Sequence, residues 1–138
     1  MNTLDNIQLL ELPTINEETG SLILIDQAKN FSFSSQQVYA IKAIAEAKRG
    51  RHAHKTANQI LSCLHGQCDI LCDDGSQTKT ITLSQPDQAL YIPTGIWAEQ
   101  TYPIENSILM VLCDTTYNEH EYIRNYSAFL NYRHSLSH

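Results

Sequence analysis

Residues Lys48 to Gly66 read KRGRHAHKTANQILSCLHG, and the meaning of this stretch decides what the rest of the chain builds. In an extended strand, side chains two apart share a face, so His52 and His54 point the same way. The run from Gln59 to Leu64 that follows is apolar enough to continue as a second strand. Two imidazoles beside Lys48, Arg49, Arg51 and Lys55 define either a metal site or an acid/base site for an anionic ligand.

Outward from this stretch, short strand patterns and turn signals alternate every eight to twelve residues. Toward the N-terminus lie Ile7 to Leu12, a turn-like Asn16 to Gly20, the run SLILID (Ser21 to Asp26), and an alternating strand from Gln36 to Ile44. Toward the C-terminus, His65-Gly66 turns the chain into Cys68 to Cys72. Asp73-Asp74-Gly75-Ser76 is a hairpin signal, because Asp-Gly tolerates the positive φ of primed turns. Thr78 to Leu83, Leu90 to Ile92 and Ser107 to Asp114 complete the series. This spacing predicts an all-β sandwich or barrel.

Only the C-terminal segment changes period. Tyr122, Ile123, Tyr126, Phe129 and Leu130 form one helical stripe, which predicts an α-helix from Asn118 to Tyr132 with Thr116 and Glu119 as its capping box. Arg133 to His138 reads as a polar, frayed end, with His134 and His138 in solvent.

With 138 residues and 42% hydrophobic content, the chain reads as a single domain, 1–138, around one core. Its net charge of −6 argues against nucleic acid or an anionic membrane as partner. No apolar run approaches membrane length. The chain opens without a secretory pattern, so the expectation is a cytoplasmic protein with reduced cysteines, Cys63 and Cys113 serving as small core residues.

The choice between metal and acid/base chemistry turns on two other positions. Metal-binding jelly rolls of the cupin type carry H-x-H, then a Glu and a Gly, and later P-x-G followed by a third His. The frame His52-Ala53-His54, Gln59, Gly66 and Pro93-Thr94-Gly95, Ala98 resembles that pattern. Gln59, however, stands in place of the carboxylate and Ala98 in place of the third imidazole. Two imidazoles are too few for the usual catalytic metal site, which holds three protein ligands. The expectation is therefore no metal and no cofactor, with the histidines acting on protons near neutral pH.

Arg49 to Lys55 (R-G-x-H-x-H-K), Gln59 to Gly66, Asp73 to Gly75, Leu90 to Trp97 (L-Y-I-P-x-G-I-W) and Tyr122 to Tyr126 (Y-I-R-N-Y) occur in this order. With Gly20 to Leu22 and Val38-Tyr39, they resemble the dTDP-4-keto-6-deoxyhexose 3,4-ketoisomerases, the metal-free, WxcM-like cupins, over Ile7 to Leu130. The resemblance implies a cupin jelly-roll barrel with one C-terminal helix. It also implies a homodimer, for which Ile7 to Leu12 is a strand free to pair across subunits. The substrate implied is a dTDP-linked 4-keto-6-deoxyhexose, whose ketone moves from C4 to C3 on the way to 3-amino sugars of surface polysaccharide.

By the same resemblance His52 matches the catalytic base, His54 the second active-site histidine, and Tyr39 a tyrosine facing the sugar. Arg124 matches an arginine at the nucleotide-sugar site, whose fork of donors suits a diphosphate. Arg49, Arg51, Gln59, Tyr91 and Trp97 complete the ligand-facing set. Thr19 and Ala98 depart from the family pattern at positions expected near the ligand. Two other functions fit part of the pattern: a nucleotide-sugar 3,5-epimerase, and a catalytically silent sugar-binding cupin.

Overall fold

The computed structural model describes residues 1–25 and 33–137. Among these residues the strands are β1 (Gln8–Glu11), β2 (Thr14–Glu17), β3 (Gly20–Ile23), β4 (Gln37–Ala43), β5 (Ala47–His54), β6 (Gln59–His65), β7 (Cys68–Asp73), β8 (Thr78–Leu83), β9 (Gln88–Ile92), β10 (Trp97–Tyr102), β11 (Ser107–Cys113) and β12 (Tyr122–Ile123). One α-helix, α1 (Tyr126–Leu136), follows them. Two five-stranded antiparallel sheets form, ordered β1-β9-β6-β11-β4 and β12-β5-β10-β7-β8. β2 and β3 pair only with each other.

Alternation places the core. Leu61, Cys63, Leu90, Leu109 and Val111 from the first sheet meet Cys68, Ile70, Cys72 and Tyr102 from the second in one buried cluster. All four cysteines are free and buried, so Cys63 and Cys113 are core residues as expected, and Cys68 and Cys72 join them. The Asp-Gly hairpin also forms as read. Asp73 Oδ1 accepts from the Gly75 amide at 2.7 Å, Asp74 Oδ1 accepts from Ser76 and Gln77, and Gly75 sits at φ +90°. Gly66 makes the β6–β7 turn where nothing larger fits, since a Cβ there lies 2.2 Å from Ser107 Oγ.

The structure corrects the sequence reading in three places. Asn16 to Gly20 is mostly strand: β2 runs to Glu17 and β3 begins at Gly20, leaving only Glu18 and Thr19 as the turn. Asp26, the last residue of SLILID, and His138 lie outside the described residues. β10 was not anticipated, because its sequence WAEQTY shows no apolar/polar alternation: polar Gln100 is buried on the same face as Ala98 and Tyr102, while apolar Trp97 shares the other face with Glu99 and Thr101. The helix begins at Tyr126, not near Asn118. Asn125 is its N-cap and accepts from the Ala128 amide at 2.9 Å, whereas Tyr122 and Ile123 form β12 against β5. Asn118 caps only a short 3-10 turn, Glu119–Glu121.

The C-terminal end is also more ordered than its polarity suggests. Arg133 is buried within α1 and donates from Nη1 to Gly95 O at 3.0 Å. β1 pairs with β9 inside the same chain and occupies the outer edge of its sheet. No helix among the described residues is long and apolar enough to cross a membrane.

Candidate active site

The site is built on an irregularity in β5. Ala98 of β10 pairs with His52 and Glu99 pairs with Gly50, so Arg51 is an extra residue with no partner across the ladder. Gly50 and Arg51 both take left-handed backbone, at φ +79° and +62°. The bulge changes which residues share a face. Arg49 pairs with Gln100, which is buried and faces inward, so Arg49 joins His52 and His54 on the inner side although it lies three residues from His52. Arg51 is turned outward, with a 69% exposed side chain 3.6 Å from Glu99.

His52 lines an open cavity of about 490 Å³ together with Tyr39, Arg49, Gln100, Tyr122 and Arg124. His54 sits beside it, its ring centroid 4.8 Å away and nearly perpendicular, and is 7% exposed. The ring of Tyr122, which pairs with His54 across the β5–β12 ladder, packs against both imidazoles at 4.4 and 5.1 Å. The Pro93-Thr94-Gly95 turn secures the His54 backbone, as Gly95 N donates to His54 O at 2.7 Å. Burial, and then the neighbouring His54 ring, lower the His52 pKa to about 4. Burial also holds His54 below its ordinary value, against the opposing pull of the Glu121 carboxylate. Both imidazoles are neutral at pH 7.

Glu121, with 5% exposure, is the group behind them. Its Oε2 meets His54 Nδ1, while its Oε1 accepts from the backbone amides of Thr56 and Ala57 at 3.1 and 3.0 Å. Burial alone raises its pKa, but the bonds from His54, Thr56 and Ala57 hold it below the usual carboxylate range.

The facing sheet supplies Tyr39 from β4 and Gln59 from β6. Gln59 donates to Cys113 Sγ at 3.2 Å and also hydrogen-bonds Tyr39. Burial, with Cys113 and Tyr122 nearby, pushes the Tyr39 phenol up to about 12, so it is a proton donor throughout the neutral range. Arg124 stacks 4.4 Å over the Tyr122 ring at the cavity edge. Glu119 takes its guanidinium in a two-point pair at 2.6 and 2.9 Å.

The structure therefore brings together Tyr39, Arg49, His52, His54, Gln59 and Arg124. It does not bring Arg51, Tyr91 or Trp97 to the cavity. Tyr91 packs on the outer face of its sheet with Ile60, Leu112 and Leu12. Trp97 seats α1 through Ala53, Ile123 and Phe129 and donates from Nε1 to Glu99. Ala98 lies directly across the ladder from His52, and Thr19 lies at the tip of the β2–β3 hairpin. Sequence reading missed Glu121, Tyr122 and Gln100 as site residues. The one available signal was that Tyr122 opens the Arg124 motif and Glu121 immediately precedes it.

The donor set does not assemble around a metal ion. Gln59 and Ala98 occupy the positions of a carboxylate and an imidazole, and Glu121 is committed to His54 and two amides. Among the described residues, no group of three or more His, Cys, Asp or Glu side chains could hold one.

Sequence and structure comparisons both find sugar 3,4-ketoisomerases among the similar proteins. The WxcM-like, C-terminal family (FdtA) matches residues 5–134. The chain is 37% identical over 126 residues to the TDP-4-oxo-6-deoxy-alpha-D-glucose-3,4-oxoisomerase of Aneurinibacillus thermoaerophilus, a match covering 91% of each chain. A 3,4-ketoisomerase from Helicobacter canadensis superposes with TM-score 0.90 at 34% identity, covering 94% of this chain and 98% of that one. The sugar 3,4-ketoisomerase QdtA from Thermoanaerobacterium thermosaccharolyticum, solved in complex with TDP, superposes with TM-score 0.91 at 31% identity, covering 97% and 98%.

Proposed function

The chain belongs to the WxcM-like family of TDP-sugar 3,4-ketoisomerases, and from that premise we propose that it moves the ketone of a dTDP-linked 4-keto-6-deoxyhexose from C4 to C3 using His52. One observation carries the role of His52: a neutral imidazole and a protonated phenol, Tyr39, line the same cavity with two guanidinium groups.

The chemistry moves two protons and no net electrons. His52 removes the C3 proton; the C3–H electron pair forms a C3=C4 double bond, and the C4 oxygen takes a proton from the Tyr39 hydroxyl. The resulting enediol then collapses the other way. The C3 hydroxyl gives its proton back to Tyr39 as the C3 carbonyl forms, and the imidazolium returns a proton to C4. A conjugate acid with a pKa of about 4 is a ready donor in that second step. Donors aimed at the developing oxyanion lower the barrier, and the Tyr39 phenol is placed for that task.

Arg49 and Arg124 suit the diphosphate. Arg124 already holds a two-oxygen anion, Glu119, in the forked geometry a phosphate would adopt in its place. The product is a 3-keto sugar, the substrate class for amination on the way to 3-amino sugars of surface polysaccharide. We place the enzyme in the cytoplasm, with four free buried thiols, and assemble it as a homodimer. Leu9, Ile15 and Leu22, exposed by 53%, 54% and 61% on β1, β2 and β3, support that assembly.

The decisive experiment incubates the protein with dTDP-4-keto-6-deoxyglucose in D2O and follows the sugar ring by NMR. The expected product is a 3-keto sugar carrying deuterium at C4. Exchange confined to C5 would instead mark a 3,5-epimerase. Binding without exchange would mark a silent sugar-binding module, the reading favoured by the bare Ala98 opposite His52.

A further inference from the structure

We propose that Glu121 is a positioning residue for proton transfer at His52: it fixes His54 as the Nδ1–H tautomer and keeps His54 Nε2 as an unprotonated acceptor beside the His52 ring. The inference rests on the isomerase reading above and adds to it a residue from outside the histidine strand.

The hydrogen bonds at Glu121 leave one consistent assignment. Its Oε1 receives two backbone amides, Thr56 N and Ala57 N, and the Thr56 hydroxyl at 3.3 Å. Backbone amides only donate, so this oxygen has to accept. Its Oε2 faces His54 Nδ1, and an ionised carboxylate has no proton to give. The proton of that contact therefore resides on Nδ1, and a neutral imidazole then has a bare Nε2. His54 Nε2 is buried without a hydrogen-bond partner among the described residues, on a ring whose centroid lies 4.8 Å from that of His52. A buried, open acceptor on the ring next to His52 has a use when His52 gains a proton. The remaining charged and titratable neighbours of His54 are Arg124 and Asp114, of opposite sign, and Tyr122 on the adjoining strand. Glu121 is also tied in place from its own backbone, since Lys55 N donates to Glu121 O at 2.9 Å. A carboxylate behind a working histidine orients the ring and stabilises its protonated neighbour without touching substrate.

Glu121→Gln tests this because the two amides dictate which way the carboxamide turns. Its oxygen has to remain at Thr56 and Ala57, so its NH2 group faces His54 Nδ1 and forces that nitrogen to accept. His54 then switches to the Nε2–H tautomer. In 15N spectra of histidine-labelled protein, wild type should show His54 protonated at Nδ1 and the Gln variant should show it protonated at Nε2. The kcat should fall roughly 10²-fold with little change in KM, and Glu121→Asp should restore the Nδ1–H signature and part of kcat. A purely structural brace would lower thermal stability in all variants and leave the tautomer unchanged.

A wild-type spectrum with His54 protonated at Nε2 overturns the inference even if the Gln variant does not fold. So does an unchanged kcat in a folded Gln variant. If wild type itself fails to move the ketone in the D2O experiment, the isomerase reading falls, and the tautomer spectra still decide the role of Glu121.

Discussion

β5 and β6 are neighbours in sequence, joined by residues 55–58, yet they solve opposite problems. β6 is buried continuously from Gln59 to Cys63, with Leu61 between Leu90 and Val111, and its neighbours stay in register along that run. β5 contains a bulge, two left-handed residues, a half-buried imidazole at the cavity, His52, and a buried one beside it, His54, with an open Nε2. Through its buried run the strand that holds the fold follows the period of two, its one slip lying beyond Cys63; the strand that holds the chemistry departs from it among the site residues themselves. Stability and activity should therefore respond separately to changes in the two strands.

The largest separation is expected from His52→Asn. Removing the base should lower turnover by about 10³-fold or more, roughly 4 kcal/mol in the barrier. Its melting temperature should stay within a few degrees of wild type, because His52 lines an open cavity and not the apolar core. Steady-state kinetics and a thermal melt on the same sample check both halves. A collapse in stability would put β5 in the same class as β6.

Leu61→Ala is the converse. Leu61 is 1% exposed, and truncating a buried leucine costs about 2–5 kcal/mol. Denaturant unfolding should show that loss, while kcat of the folded protein is retained. A kcat that fell in step with stability would mean that the first sheet shapes the cavity more directly than its contacts indicate.

A smaller effect distinguishes the strands by pH. His52 has a folded pKa of about 4 against 6.5 for an ordinary histidine, so between these values the unfolded chain binds more protons. The stability this group contributes is fully present above pH 6.5 and is lost as pH falls through 4. Unfolding measured from pH 7 to 4 should show a steeper decline in wild type than in His52→Asn. The acid limb of kcat/KM should lie nearer pH 4 than 6.5, because the base stays neutral across that range. Parallel stability curves would remove the half-buried, neutral His52 from the account.

What was legible in the sequence divides along the same line. Strands obeying the period of two, such as β6, β8 and β11, were placed within a residue or two, and the His52–His54 pair shares the cavity side as spacing required. β10 was missed because polar Gln100 faces the core and apolar Trp97 faces away from it, so its sequence lacks the alternation that identifies a strand. Glu121 was missed because its partners lie 64 to 67 residues away, at Ala57, Thr56 and His54, and no local pattern encodes that distance. Tyr91 and Trp97 belong to the same motif as the turn that secures His54, but alternation puts their side chains on the outer faces of the two sheets.

The finest test uses Arg49 and Arg51, which plain alternation would place on one face of β5. The bulge at Gly50 and Arg51 instead sends Arg49 toward the cavity with Gln100 and sends Arg51 outward to Glu99. Arg49→Ala should raise KM for the nucleotide sugar roughly 10-fold, as expected for losing a charged contact to phosphate worth about 1.5 kcal/mol. Arg51→Ala should leave KM unchanged and alter stability by only about 0–1 kcal/mol, since its 3.6 Å ion pair is largely in solvent. Equal KM effects from the two variants would mean that the outward face of β5 also meets the ligand. A larger effect from Arg51 would mean that the register shift between Ala98 and Glu99 does not set which arginine faces the substrate.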